Sequence, residues 1–118
     1  MVKATGSPEP EGVNALVRIL RDRSARIDER DDAAIDLGKS DDDRALAALV
    51  EIASRADDDT ILGSAGESLA QIAIRRGKFD SSWLDRLAPP ARRELVASLR
   101  AEAPQLLGKG PPPGDASA

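Results

Sequence analysis

The sequence contains no cysteine, no histidine and no tyrosine, and its only aromatic residues are Phe79 and Trp83. Without cysteine there are no disulfide staples and no thiolate chemistry. Without histidine there is no imidazole ligand, no near-neutral proton shuttle and no nucleophile–base pair built on one. So few aromatics leave the core to Ala, Leu, Ile and Val, and a core rich in Ala favours close-packed helices over sheets. No basic segment followed by an apolar run opens the chain, and no apolar run approaches the length that spans a bilayer. The expectation is a cytoplasmic protein with no membrane segment, no cofactor, no metal site and no catalytic constellation.

What is present is charge, unevenly placed. The 118 residues carry a net charge of −4, suited to one small domain. Between Asp28 and Asp59 stand 12 acidic residues against Arg30, Lys39, Arg44 and Arg55. Between Arg75 and Arg100 stand seven basic residues against Asp80, Asp85 and Glu94. The acidic half repels phosphates and suits a basic protein partner; the basic half lacks an aromatic stacking stripe, so no nucleic-acid partner is expected. Arg outnumbers Lys 13 to 4 amid abundant Ala and Asp, as in proteins of GC-rich bacterial genomes.

Residues 1–10 (MVKATGSPEP) and 108–118 (GKGPPPGDASA) read as a disordered leader and tail around a helical domain at 11–107. Val13, Leu16, Val17 and Leu20 fall at i, i+3, i+4 and i+7 of a first helix. Ser24 is placed to cap a second, with Ile27, Ala33, Ala34 and Leu37 as its apolar side and Gly38 in the left-handed conformation at its end. Asp41 is the expected cap of a third helix, Ala45–Ser54, with Leu46, Leu49, Val50 and Ala53 on its stripe. Asp58 or Asp59 caps a fourth, Thr60–Arg76, which Gly77 ends. Gly63 and Gly66 inside it point to a close backbone crossing or to a break. A short helix at Ser81–Leu87 and one after Pro89–Pro90 complete the set, about six in all.

The chain repeats itself at about 34 residues. Ala15-Leu16-Val17-Arg18-Ile19 matches Ala48-Leu49-Val50-Glu51-Ile52 at an offset of 33, and Asp32–Leu37 matches Glu67–Ile72 at 35. One helix pair cannot bury both its apolar stripes, but stacked pairs can. Ala33-Ala34-Ile35-Asp36-Leu37-Gly38, followed by Asp43-Arg44-Ala45-Leu46 and Ala48-Leu49, resembles HEAT repeats of the bacterial phycobilin-lyase-like type. That resemblance implies an all-α fold, a short right-handed α-solenoid of stacked antiparallel helix pairs over roughly Glu11–Leu99. It also implies binding rather than chemistry. Small free-standing HEAT-like proteins resemble some immunity proteins, which block a cognate toxin.

Three features are candidates for partner binding. The triplets Asp41, Asp42, Asp43 and Asp57, Asp58, Asp59 read either as helix caps with solvated charge or as an acidic binding edge, and they stand at opposite ends of one helix. No twelve-residue calcium loop surrounds either. Trp83 reads either as a core anchor or as an interface hot spot. Ser64 and Ser68 have no base to activate them. The expected function is a small bacterial inhibitor or immunity-type protein, monomeric when free, that binds a basic protein such as a toxin. The alternative is an adaptor or regulatory subunit of a larger complex, or part of a longer repeat array. The stacked surface of Ala45–Ser54 and Ser81–Leu87 is the expected contact face.

Overall fold

The computed structural model describes residues 10–107; the leader and tail expected from sequence lie outside that range, apart from Pro10. The described residues form seven α-helices and no strand. They are α1 (Pro10–Arg21), α2 (Ile27–Leu37), α3 (Asp43–Ala53), α4 (Asp59–Arg76), α5 (Trp83–Arg86), α6 (Pro89–Glu102) and α7 (Pro104–Leu107). The described residues are all-α, as the composition predicts. None of these helices is long and apolar enough to cross a membrane.

α1 packs on α2 and α3, α2 and α3 both pack on α4, and α4 packs on α6. Polar bonds fix the direction of each pairing. Across α1 and α3, Arg44 donates to Asn14 (2.7 Å) and Arg21 to Glu51 (2.7 Å), so the two helices run the same way. Across α2 and α4, Ser64 donates to Asp31, Ser68 to the Ala34 carbonyl (2.7 Å) and Arg75 to the Gly38 carbonyl (2.8 Å), again in step. These partners stand 30 to 37 residues apart. The spacing seen in the sequence is therefore also the spacing at which the helices touch.

Alanine makes these close seams possible. Ala34, Ala45, Ala48, Ala53, Ala65, Ala70 and Ala91 are all wholly buried. A methyl group lets two helices approach where Leu would hold them apart, and Ala has the best helix propensity. Larger side chains, among them Leu20, Leu37, Leu49, Ile52, Ile61, Leu69 and Ile72, fill the space between the layers.

Two glycines owe their place to neighbours rather than to backbone conformation. Gly38 does not take the left-handed conformation: its φ is −65° and ψ −15°. α2 instead tightens through i→i+3 bonds, Gly38 N–H to Ile35 and Lys39 N–H to Asp36. A Cβ at Gly38 would lie 2.6 Å from the Ser68 Cβ, so the α2–α4 seam demands glycine there. Gly66 is the close crossing expected within α4, since a Cβ would press on the Ala91 carbonyl of α6. Gly63 is not a crossing: a Cβ there would meet the Glu94 side chain at an ordinary 3.6 Å. Gly77 ends α4 with φ +70°, the left-handed stop expected from sequence.

One cap shifts by a residue, one falls on an expected aspartate and one is missing. Asp42, not Asp41, caps α3 by accepting from the Arg44 N–H (2.8 Å), and Asp58 caps α4 by accepting from the Thr60 N–H (2.8 Å). Ser24 caps nothing, because its hydroxyl turns back to Asp22 (2.6 Å), and Arg26 stands at the start of α2 with no side-chain cap. The short helix is confined to Trp83–Arg86. Its end is tied down by Arg92, which donates to the Leu84 and Leu87 carbonyls (3.3 and 3.0 Å), and the Ala88 N–H bonds to the Ala53 carbonyl at the end of α3 (2.8 Å).

A candidate docking groove around Trp83

Most of the six aspartates are engaged by the chain itself. Asp42 holds α3 and also the Arg44 guanidinium (2.6 and 3.0 Å); that pairing, then the cap bond, lowers its carboxyl to about 2. Asp41 receives Arg75 (3.3 Å) and Asp43 receives Arg76 (3.0 Å). Arg75 and Arg76, in the last turn of α4, thus reach across to the turn before α3. Arg75 also donates to the Gly38 and Ser40 carbonyls (2.8 and 3.0 Å), completing the end of α2. Arg75 thus serves the C-terminus of α2, a helix other than its own, while Arg76 also donates to the Asp41 carbonyl (3.1 Å).

Asp57 departs furthest from the acidic binding edge. Its carboxylate is 3% exposed and forms a bidentate pair with Arg30, itself 2% exposed (3.0 and 2.7 Å). The Arg30 guanidinium also donates twice to the Leu20 carbonyl (3.0 and 2.9 Å), locking the end of α1 to α2 and to the α3–α4 turn. The hydrogen-bonded Arg30 holds the Asp57 carboxyl below the usual carboxylate range, against the opposing effect of burial. Asp57 is therefore a structural clamp with no surface to offer. Asp58 is spent on the α4 cap, and Asp59 is exposed in the first turn of α4.

Sequence reasoning missed Arg30 although the signal was present. Positions 30, 33, 34 and 37 fall at i, i+3, i+4 and i+7, and all four are buried. Ile27, assigned from sequence to the apolar side of α2, is 44% exposed. Placing an arginine in a buried stripe requires knowing that Asp57 and a free carbonyl will be waiting there.

Trp83 is buried and meets Phe79 edge-on at a ring-centroid distance of 5.7 Å. Its rim nonetheless borders two shallow concavities that share Leu46, Asp80 and Trp83. One, of about 370 Å³, runs toward the C-terminal half of α4 past Ile72, Phe79 and Lys78. The other runs along α3 past Ala47 and Val50 to Arg86. The two adjoin at Leu46, Asp80 and Trp83 as a groove between α3, the last turns of α4 and the segment 78–86. Its floor is apolar; its rim carries Asp43, Glu51 and Asp80 beside Arg76, Lys78 and Arg86.

The groove brings together two of the sequence candidates, Trp83 and Asp43; Asp57, Asp58 and Asp59 lie at the other end of α3. Ser64 is bonded to Asp31 and Ser68 to a carbonyl, so each hydroxyl is held by an acceptor across the α2–α4 seam. Among the described residues no three acidic side chains converge as a metal site would need. No family model, curated protein or solved structure matches the chain.

Proposed function

We propose that the chain is a protein-binding module, a short right-handed α-solenoid of HEAT-like helix pairs, and that the groove around Trp83 is its contact face. The observation that carries this reading is the groove's make-up: an apolar floor of Leu46, Val50, Phe79 and Trp83 within a charged rim. An aromatic anchor in an apolar pocket ringed by polar groups is the usual anatomy of an interface centre. In its most concrete form the module is a small bacterial inhibitor of the immunity type, which neutralises a cognate toxin by covering its active site. The acidic half of the chain steers a basic partner toward it, and that steering weakens with salt.

Trp83 is the only tryptophan of the chain, so its fluorescence reports occupancy of the groove directly. The test is co-purification with the product of a neighbouring gene, followed by titration of that product into the protein. Binding near 1:1 with a change in Trp83 emission is expected. Leu46→Asp, at a half-buried position on the groove floor, should weaken binding at least about 100-fold while circular dichroism stays helical. Unchanged affinity in Leu46→Asp overturns the groove.

The adaptor reading is favoured by a different observation. Ile27 and Ile35 of α2 are 44% and 40% exposed amid Asp28, Glu29 and Asp32. A complex of several subunits needs a second surface of this kind. Incorporation into an assembly larger than 1:1, sensitive to Ile35→Glu, would select it.

A further inference from the structure

The outward face of α1 repeats the buried face of α3. Ala15-Leu16-Val17-Arg18-Ile19 and Ala48-Leu49-Val50-Glu51-Ile52 share four of five residues. In α3, Ala48, Leu49 and Ile52 are wholly buried where α1, α2 and α4 pack on that helix. In α1, Ala15 is only half-buried, Leu16 leans on the core but stays half-buried at the edge of the face, and Ile19 is 37% exposed. With the half-buried Gly12 they fall at i, i+3, i+4 and i+7, one continuous stripe along α1.

The one difference between the two stretches is a charge. Glu51 of α3 receives Arg21 of α1 at 2.7 Å. Arg18 stands in the Glu51 position of α1, exposed and without an ion-pair partner among the described residues. Glu11, two turns earlier on the same flank of the stripe, is likewise exposed and unpaired.

We propose that this face binds a second copy of the chain, α1 against α1 in antiparallel orientation about a two-fold axis beside Ala15 and Leu16. Helix geometry then makes the stripe complementary to itself. Ala15 faces Leu16 of the other copy, and Gly12 leaves room for its Ile19. Glu11 comes beside its Arg18, and every contact occurs twice, as a two-fold interface requires. A parallel arrangement would set Ile19 on Ile19 and Arg18 near Arg18, with nothing for Gly12 to receive. One helix face is small for a permanent dimer, so the association is weak and reversible, in place of the monomer expected from sequence.

Sedimentation velocity of the full chain over a wide concentration range tests this. A reversible monomer–dimer equilibrium is expected. Ile19→Glu should raise the dissociation constant at least about 100-fold, and Arg18→Glu about tenfold. Adding Glu11→Arg to Arg18→Glu should restore the native value, because the pair is re-formed with its signs exchanged. Circular dichroism of each variant must remain helical. A chain that stays monomeric at millimolar concentration overturns the proposal. So does a dimer indifferent to Ile19→Glu, a double reversal that fails to restore it, or a dimer that dissolves in Leu46→Asp instead.

Discussion

Arg30 and Asp57, 27 residues apart, meet as a bidentate ion pair that is closed to solvent on both sides. The pair joins three parts of the chain, because Arg30 also holds the last carbonyl bend of α1 at Leu20. Removing Arg30 leaves Asp57 charged and buried with only the longer Arg23 contact (3.8 Å), and removing Asp57 leaves Arg30 charged and buried on the Leu20 carbonyl alone. Asp57→Asn or Arg30→Met should each cost about 3–5 kcal/mol. For a domain of this size that lowers the Tm by more than about 10 °C. Arg30→Met combined with Asp57→Leu should recover much of the loss, since no lone charge remains. Thermal denaturation followed by circular dichroism measures all three.

The same pair sets an acid limit. Asp57 and Asp42 both have carboxyls held below their ordinary values, chiefly by hydrogen bonds from Arg30 and Arg44. A lowered folded-state value means that the stabilisation is complete at neutral pH and is lost as pH falls through the folded value. Stability should therefore decline from about pH 5 downward, continuing to the Asp42 value of about 2. Asp57→Asn should be less stable at pH 7 but show a flatter loss between pH 5 and pH 2. Urea denaturation at stepped pH values reads this directly.

Glycine-to-alanine changes should differ in sign. Gly66→Ala forces a methyl group against the Ala91 carbonyl and should cost about 1–3 kcal/mol. Gly77→Ala puts a side chain at φ +70° and should cost about 1 kcal/mol. Gly63→Ala meets only the flexible Glu94 side chain and should stabilise the protein by about 0.5–1 kcal/mol. Equal effects at positions 63 and 66 would show that α6 does not cross α4 at Gly66.

Ser54 carries a buried hydroxyl with no partner among the described residues. Its desolvation is uncompensated, so Ser54→Ala should leave the fold intact and raise stability by about 1 kcal/mol. A loss of stability on substitution would mean that the hydroxyl is satisfied by water.

The helices and the contact spacing were legible because both follow from local pattern. The stripes on α1, α3 and α4 needed only helical periodicity, and the repeat of Ala15–Ile19 at Ala48–Ile52 foreshadowed which helices run side by side. What was not legible depends on residues distant in sequence. Gly38 looked like a left-handed stop, yet Ser68, 30 positions later, is what excludes a side chain there. Asp57 read as a cap with solvated charge or as part of an exposed edge, because nothing local announces that Arg30 will bury it. Of the groove, Trp83 and the α3 face were anticipated. Phe79 and Lys78 joined it only once Gly77 had turned the chain back over Ile72.

α4 packs against α2, α3 and α6, and its seam with α6 is the most extensive helix–helix contact among the described residues. Its amides are consequently shielded on three sides, while those of α1 and α7 are shielded far less. Opening α4 dismantles the whole domain, whereas α7 detaches alone. Hydrogen exchange should accordingly run inward from the two ends, with the amides of Leu69–Ala73 exchanging last and only through global unfolding.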